Sequence, residues 1–458
     1  EKQYEAAMAL EEVECHPISE DSGRIYFVVT TLRDLAPDAL PEIRLSEEDN
    51  PPELRRRAEE LSLKLQAVNE ELNALLVSLP AAKRRVQTLD SELEYARVHD
   101  SLSEHGVVVS LSGFVPAPEI EKLRDAAREH GWGLLITDPE PGDTVPTLLK
   151  ESKFSRIISP LFQFLGISPG YDEIDVSGGV LVFFTIFYAM IIGDAGYGLI
   201  FLLGTLLAKW KFRNSQAAVL PLRMMLVLSI AAIIWGVLTN NYFGTAPLPQ
   251  FSLKFFTQEG VKDANVQAFC FALAVAQLSL GRIWRAIHEG NLRSIGRNLG
   301  WMLILWGNFF LTLRLIVWPG EFPVYMYWLY AIGLVLVVCC DINWKNVADI
   351  FQFPFNIIGS FVDVLSYIRL FAVGMAGYYI AASFNGMGVS IWQASPYFLL
   401  FGILVILFGH LLNLGLCALS VLVHGVRLNT LEFSNHVGLS WSGSNFKPFK
   451  NHKKSEEN

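Results

Sequence analysis

Residues 191–200 read IIGDAGYGLI. They lie in the middle of an apolar run, 178–209, that is long enough to be one helix or two short ones. Gly193, Gly196 and Gly198 with Asp194 make a poor helix interior and a good reverse turn. The run therefore splits into two short spans near 177–193 and 196–210; a single kinked helix is the alternative. The split decides the topology. Further apolar runs lie near 218–241, 266–287, 298–318, 325–341, 357–384 and 397–427. Basic residues follow the first run (Lys209, Lys211, Arg213), the third (Arg282, Arg285, Arg293, Arg297) and the last (Lys447, Lys450, Lys453, Lys454). Positively charged loops stay in the cytoplasm. With the hairpin, about eight spans place all three clusters and both termini there; a single helix would put the N-terminal half outside. The hairpin arms are short for a hydrocarbon core of about 30 Å. They are expected to pack against protein rather than stand alone in lipid.

The 458 residues are 52% apolar and 18% charged, but these figures average two unlike halves. Residues 1–175 are rich in charge, and 176–428 are apolar runs joined by short loops. The chain reads as mainly α: a polytopic helical membrane domain, its last two spans long and tilted, behind an N-terminal cytoplasmic α+β lobe with a coiled-coil arm. The divisions fall at 1–50 (distal lobe), 51–105 (arm), 106–176 (proximal lobe and linker), 177–433 (membrane domain) and 434–458 (tail). The net charge of -9 comes from the soluble half and argues against a nucleic-acid partner. Glu1 opens the chain with no signal-peptide pattern, which suggests a fragment or a processed form. The five cysteines have no CxxC spacing. Four of them lie in apolar runs and read as small buried hydrophobes.

In the soluble half, Leu54, Ala58, Leu61, Leu65, Val68, Leu72, Leu75 and Leu79 step alternately by 4 and 3, a heptad seam. Pro80 interrupts it, and a second seam follows at Ala82, Val86, Leu89, Leu93 and Ala96. A seam needs a partner helix. Residues 1–50 offer none of matching length, so the partner is expected upstream of Glu1 or in another chain. Strand-like pieces flank the coil at 24–32 (RIYFVVTTL), 107–116 (VVVSLSGFVP) and 131–141 (GWGLLITDPEP), with a helical stretch at 117–130. No phosphate loop, catalytic triad or metal cluster is visible; His16 beside Cys15 stands alone. The half reads as a mechanical arm, with no catalytic, cofactor or metal residue.

The polar residues of the membrane half carry the function. In DVLSYIRLFA (363–372), Arg369 falls about 18 Å into a span that starts near Asn356, at 1.5 Å per residue. An arginine there costs about 2.5 to 17 kcal/mol. Ser366 lies one turn earlier on the same side, and Asp363 points elsewhere. Gly374, Gly377 and Ala381 make a small-residue surface for a closely packed helix. In the last span His410, Asn413, Cys417, Ser420, His424 and Arg427 step by 3, 4, 3, 4 and 3 along one face. Such a stripe marks a bundle interior or an aqueous path. No acid in the apolar spans pairs with Arg369, since Asp194 sits in the far-side turn and Asp341 and Glu432 at span ends. The missing acid is therefore expected on another subunit, held ionised while it faces the arginine.

PTLLK (146–150), YDEID (171–175), GDAGYG (193–198), WGVLTNNYFG (235–244), SYIRLFAVGMA (366–376) and VHGVRLNTLEF (423–433) together resemble the membrane subunit of rotary V-type and A-type ATPases, subunit I in prokaryotic complexes and subunit a in eukaryotic ones. The likeness runs from about residue 105 almost to the C-terminus. It implies a non-catalytic stator subunit that forms two ion half-channels against a rotating proteolipid ring. Its further partners would be the peripheral stalks, the central stalk–ring assembly, the catalytic sector reached through the stalks, and the lipid bilayer of a prokaryotic plasma membrane. On this resemblance Arg369 faces the ring carboxylates and Arg427 supports it. Ser366, His424, His410, Asn413 and Ser420 line the route, Asp194 marks the far-side hairpin and Glu432 guards the cytoplasmic entrance. Two positions depart from the family pattern. Gly377 stands where eukaryotic members carry a histidine, and Cys417 stands where a glutamate is often found, which keeps both proton and sodium open as the ion. On this resemblance the family's first lobe and outgoing helix, roughly the first third of a standard subunit, are expected to be missing from these residues. A secondary transporter whose midplane arginine binds an anionic substrate is the alternative. That reading predicts an internal repeat, which is not seen, and leaves the coil unexplained.

Overall fold

The computed structural model describes residues 13–21, 24–31, 51–140, 142–149, 152, 154–248, 251–342 and 344–449. Most of the expected distal lobe, Lys150 of the PTLLK stretch, and Lys450, Lys453 and Lys454 lie outside these residues. The chain divides into two units, 1–111 with 449–458, and 112–448.

In the first unit, β1 (Val13–Asp21) and β2 (Arg24–Thr31) pair antiparallel, with the register shifting between Pro17 and Ser19. Proline offers no N–H to a ladder, so a bulge is tolerated beside it. The helix α1 (Pro51–Asp100) runs unbroken through Pro80, where the sequence suggested an interruption. One missing N–H costs a single bond, and the turns on either side keep theirs. The seam faces outward, with Leu65 at 66% exposure and Val68 at 62%. Two short strands, β3 (Ser103–His105) and β4 (Val108–Ser110), close a hairpin at Gly106. Only this part of the expected 107–116 strand forms.

In the second unit, α2 (Ile120–His130) extends a 3-10 turn at Ala117–Glu119, and left-handed Gly131 stops it. The strand expected at 131–141 is absent among the described residues, which are irregular there. No described neighbouring strand takes its hydrogen bonds, and Leu135 is 88% exposed. After α3 (Ser159–Leu165), the GDAGYG run breaks as anticipated. Helices α4 (Ser177–Ile192) and α5 (Ala195–Lys211) meet at a 120° bend. Gly193 (φ +64°) ends the first, and Asp194 caps the second through the N–H groups of Gly196 and Tyr197 at 2.7 and 3.1 Å. Along α4, Val180, Leu181, Phe184, Phe187 and Ile191 are all buried in the main core, while α5 leaves Leu203 and Leu207 outside. Only the first arm is enclosed by protein on most sides.

The next helices are α6 (Gln216–Thr239), α7 (Lys262–Glu289), α8 (Leu292–Thr312), α9 (Val324–Cys340), α10 (Val347–Leu365), α11 (Ile368–Ala394) and α12 (Leu399–Ser420). Five helical stretches are long and apolar enough to cross a membrane, or six if the bent pair counts as one span. Eight is reached only by counting each arm of the bend and the 17-residue α9 as crossings. The last two stretches are 48 and 39 residues long (Val347–Ala394 and Leu399–Val437). At 1.5 Å per residue these far exceed a core of about 30 Å, so they fit a bilayer only when strongly inclined or with their ends outside it.

Small residues let the hairpin close on its neighbours, as their spacing suggested. A Cβ added at Gly374 would sit 2.7 Å from the Met190 carbonyl oxygen. Gly236 in α6 is tighter still, since its Cβ would lie 2.1 Å from the Ala195 backbone nitrogen. In an exposed helix, Gly→Ala gains about 0.5–1 kcal/mol. Gly415→Ala, which meets nothing within 4 Å, is expected to show that gain. Gly236→Ala should reverse the sign and cost about 1–3 kcal/mol by overpacking against rigid backbone. Unfolding of the two variants in detergent micelles compares them; equal shifts would contradict the packing.

The C-terminal segment returns to the stretch that precedes the membrane helices. Ser442 bridges Ser168 and Asn445 bridges Thr147, with Thr147 N–H donating to the Ser444 carbonyl at 2.7 Å. Glu173 clasps the same segment, accepting from the Ser440 N–H (2.7 Å) and hydroxyl (2.5 Å) and from the Gly170 N–H (2.7 Å). Burial pushes this carboxyl up, but the hydrogen bonds from Ser440, Gly170 and Trp441 outweigh it and hold it below the usual value. A depressed acid stabilises the fold above its unfolded pKa, and that contribution fades as pH falls through the folded value. Pepsin should therefore cut within 438–446 increasingly readily as the medium is acidified below about pH 4.5. Glu173→Gln should be cut at a rate that no longer follows this titration.

Candidate functional site

Arg369 stands near the middle of the 48-residue stretch, just past a break at Ser366 and Tyr367 where i→i−3 bonds tighten the helix. Its Nε donates to the Ser366 carbonyl at 3.0 Å, and its Nη2 reaches Glu432 Oε1 at 2.9 Å. The expectation that no acid of this chain pairs with Arg369 is corrected: the partner is Glu432, whose side chain is 7% exposed. Arg427 Nε approaches the same oxygen at 3.6 Å. The cause is a change of helix type. The last stretch turns π-helical at Val421–Gly425 and again at Leu428–Phe433. In an α-helix, residues five apart point roughly 140° away from each other. A π turn carries i→i+5 bonds and brings such residues onto one side, so Arg427 and Glu432 converge.

Two cations thus share one acid. Glu432 Oε2 is buried without a hydrogen-bond partner, and so is Nδ1 of His424, which lies within electrostatic reach of both arginines. The Ser366 hydroxyl is turned away and donates to the Asp363 carbonyl at 2.7 Å, so Ser366 serves Arg369 only through its backbone oxygen. Asp363 indeed points elsewhere, to His436.

The upper part of the polar stripe gathers separately. His410 Nδ1 lies 2.8 Å from the Tyr197 hydroxyl, and Nε2 lies 2.9 Å from Asn385 Oδ1. Buried Asn413 donates to the Tyr197 hydroxyl (3.0 Å) and to the Gly377 carbonyl (2.7 Å). Gly377 and Cys417, the two departures from the family pattern, face one another: a Cβ at Gly377 would be 3.4 Å from Cys417 Sγ. Ser420 is half-buried and stands apart from both groups. Asp194 is fully occupied as a cap, its second oxygen accepting from Gly244 N–H at 3.0 Å.

Other residues of the site were not anticipated. The Tyr367 hydroxyl donates to Gln277 Oε1 (2.7 Å), and Gln277 Nε2 donates to Asn429 Oδ1 (2.9 Å), all three fully buried. This network ties the break before Arg369 to α7 and to the π-helical turn. A glutamine inside the run 266–287 was the available signal. Tyr197, inside GDAGYG, was another.

No family model matches the chain. It is 35% identical over 428 residues to the V-type ATP synthase subunit I of Borreliella burgdorferi, covering 85% of this chain and 69% of that protein. It is 33% identical over 433 residues to V-type ATP synthase subunit I 1 of Treponema pallidum, covering 88% and 69%. An archaeal relative, the A-type ATP synthase subunit I of Pyrococcus horikoshii, is 26% identical over 79% of this chain and 57% of its own length. With relatives 35% and 33% identical over more than four fifths of its length, the chain belongs to the subunit I family of V-type and A-type ATP synthases.

Proposed function

We propose that this chain is the membrane stator of a rotary ATPase. It forms ion half-channels against a proteolipid ring and couples proton or sodium movement to ATP hydrolysis or synthesis. The observation that carries this reading is the pair of arginines around one acid. Glu432 balances only one of Arg369 and Arg427, and buried Glu432 Oε2 and His424 Nδ1 have no partner. A buried polar atom left unpaired in a native fold calls for an occupant, which a water in an ion path would supply, while the arginine charge that Glu432 leaves unbalanced would face an acid on a passing ring subunit.

In this reading Arg369 is the electrostatic gate and Arg427, His424 and Glu432 surround its cytoplasmic approach. His410, Asn413 and Tyr197 belong to the opposite half-channel, Asp194 shapes the far-side hairpin, and Ser366 and Ser420 border the route. The subunit itself performs no ATP chemistry, which belongs to a catalytic sector reached through the stalks. Eight crossings, counting both arms of the bend and α9, put both termini in the cytoplasm of a prokaryotic cell. The contact of Arg282 with the C-terminal segment supports that topology, since it joins two basic regions assigned to one side.

The test is ATP-driven ion uptake into vesicles carrying the whole complex, with sodium varied. Arg369→Ala should assemble and lose uptake, and a sodium requirement in the wild type would name the ion. Full uptake without the arginine would end the stator-gate reading.

A further inference from the structure

Glu432 and His436 lie one turn apart near the end of the last helical stretch, the latter in the short helix α13 (Ser434–Val437). Glu432 grips Arg369; His436 grips Asp363, six positions earlier on the arginine-bearing stretch. His436 is 2% exposed and sits between two groups. Arg282 Nε, from α7, donates to its Nδ1 at 3.0 Å, and its Nε2 is 2.9 Å from Asp363 Oδ2. Arginine can only donate, so Nδ1 must offer a lone pair. The ring proton then sits on Nε2 and is donated to Asp363. The imidazole is neutral, its tautomer fixed from both sides. A proton on Nδ1 would turn a hydrogen bond into a clash of two donors.

We infer that Arg282, His436 and Asp363 are positioning residues for Arg369, forming the second point of a two-point clamp that sets the register of the two long helices. The inference rests on the stator reading of Arg369. One contact alone lets a helix pivot or slide about it. Two contacts, Glu432 with Arg369 and His436 with Asp363, fix both rotation and height. The fixation continues through the backbone: the Ser366 hydroxyl binds the Asp363 carbonyl, and the Ser366 carbonyl binds Arg369 Nε. Arg282 is itself held over the Trp301 ring at 5.4 Å, and Trp301 donates to Asp341 at 2.9 Å, so the clamp is anchored on α7 and α8.

The donor–acceptor pattern makes the clamp testable in the assembled complex. Glutamine offers one acceptor and one donor, about as far apart as the two ring nitrogens; lysine offers donors only. His436→Gln should keep at least about half of the wild-type ions moved per ATP hydrolysed. His436→Lys and His436→Ala should lower that ratio about tenfold while ATP hydrolysis persists, which a merely destabilised complex would not show. The inference is overturned if lysine works and glutamine fails, if alanine leaves the ratio unchanged, or if the glutamine variant does not assemble. Arg369→Ala run alongside separates the failures. If it pumps, the stator reading falls; if it does not and His436→Ala does, only the clamp falls.

Discussion

Arg369→Lys, in an assembled complex, is expected to move ions at about a tenth of the wild-type rate or less. Lysine keeps the charge, so a purely Coulombic role predicts little change. The geometry predicts otherwise. Arg369 spends its Nε on the Ser366 carbonyl and one terminal nitrogen on Glu432, which leaves the rest of a planar fork free to face outward. A single ammonium cannot hold the helix break, pair with Glu432 and present a donor to a third group in fixed directions. Losing one charge-assisted hydrogen bond is worth about 1.5–3 kcal/mol, or about ten- to a hundredfold. ATP-driven uptake measured beside hydrolysis reads the effect. A lysine variant that pumps normally would show that charge alone suffices.

The second large effect concerns Glu432. Glu432→Leu should destabilise the subunit by about 3–5 kcal/mol, the usual consequence of removing one partner of a buried pair. It leaves Arg369, 26% exposed at its side chain, facing Arg427 with no acid between them. Glu432→Gln should cost less, because the amide oxygen still accepts a hydrogen bond. Arg369→Met combined with Glu432→Leu should recover much of the loss, since two apolar groups satisfy one another where a lone charge cannot. Unfolding of the wild type, Arg369→Met, Glu432→Leu and the double variant in detergent micelles tests the cycle; strict additivity would mean that the two residues do not interact.

Much of this architecture was legible from spacing alone. The bend at GDAGYG followed from three glycines and an acid, and the close approaches of Gly374 and Gly377 from their three-residue interval. The heptads of α1 predict a seam paired with another helix, and among the described residues that seam lies uncovered like the rest of the helix. What misled was the assumption of one helical period. The stripe from His410 to Arg427 was read at 3.6 residues per turn, and it holds as far as Ser420. Beyond that the helix widens, and Glu432 swings from an apparent span end to the side of Arg369. Nothing in LNTLEF distinguishes a π turn from an α turn, because both bury the same kinds of residue. The partner of Arg369 was hidden for that reason, 63 positions away in sequence. Similarly, GWGLLITDPEP has the composition of a strand, but composition does not supply a neighbouring strand.

The paired ends of the membrane-bearing unit constrain its biosynthesis. Thr147 precedes every apolar helix and Asn445 follows them all, yet they are bridge partners across about 300 positions of chain, with Thr147 hydrogen-bonded to Ser444 and Phe446 on either side of Asn445. Emerging from the ribosome, Thr147, Ser168 and Glu173 lack the partners they find at 440–446 until that segment is made. Their final conformation, including the Glu173 clasp, must form after insertion of the helices is complete. Closing so long a loop is slow but adds little entropy beyond that of a shorter one. Any truncation before Ser440 would leave the pre-membrane linker without its counterpart, so synthesis of residues 440–446 acts as the checkpoint for this part of the fold.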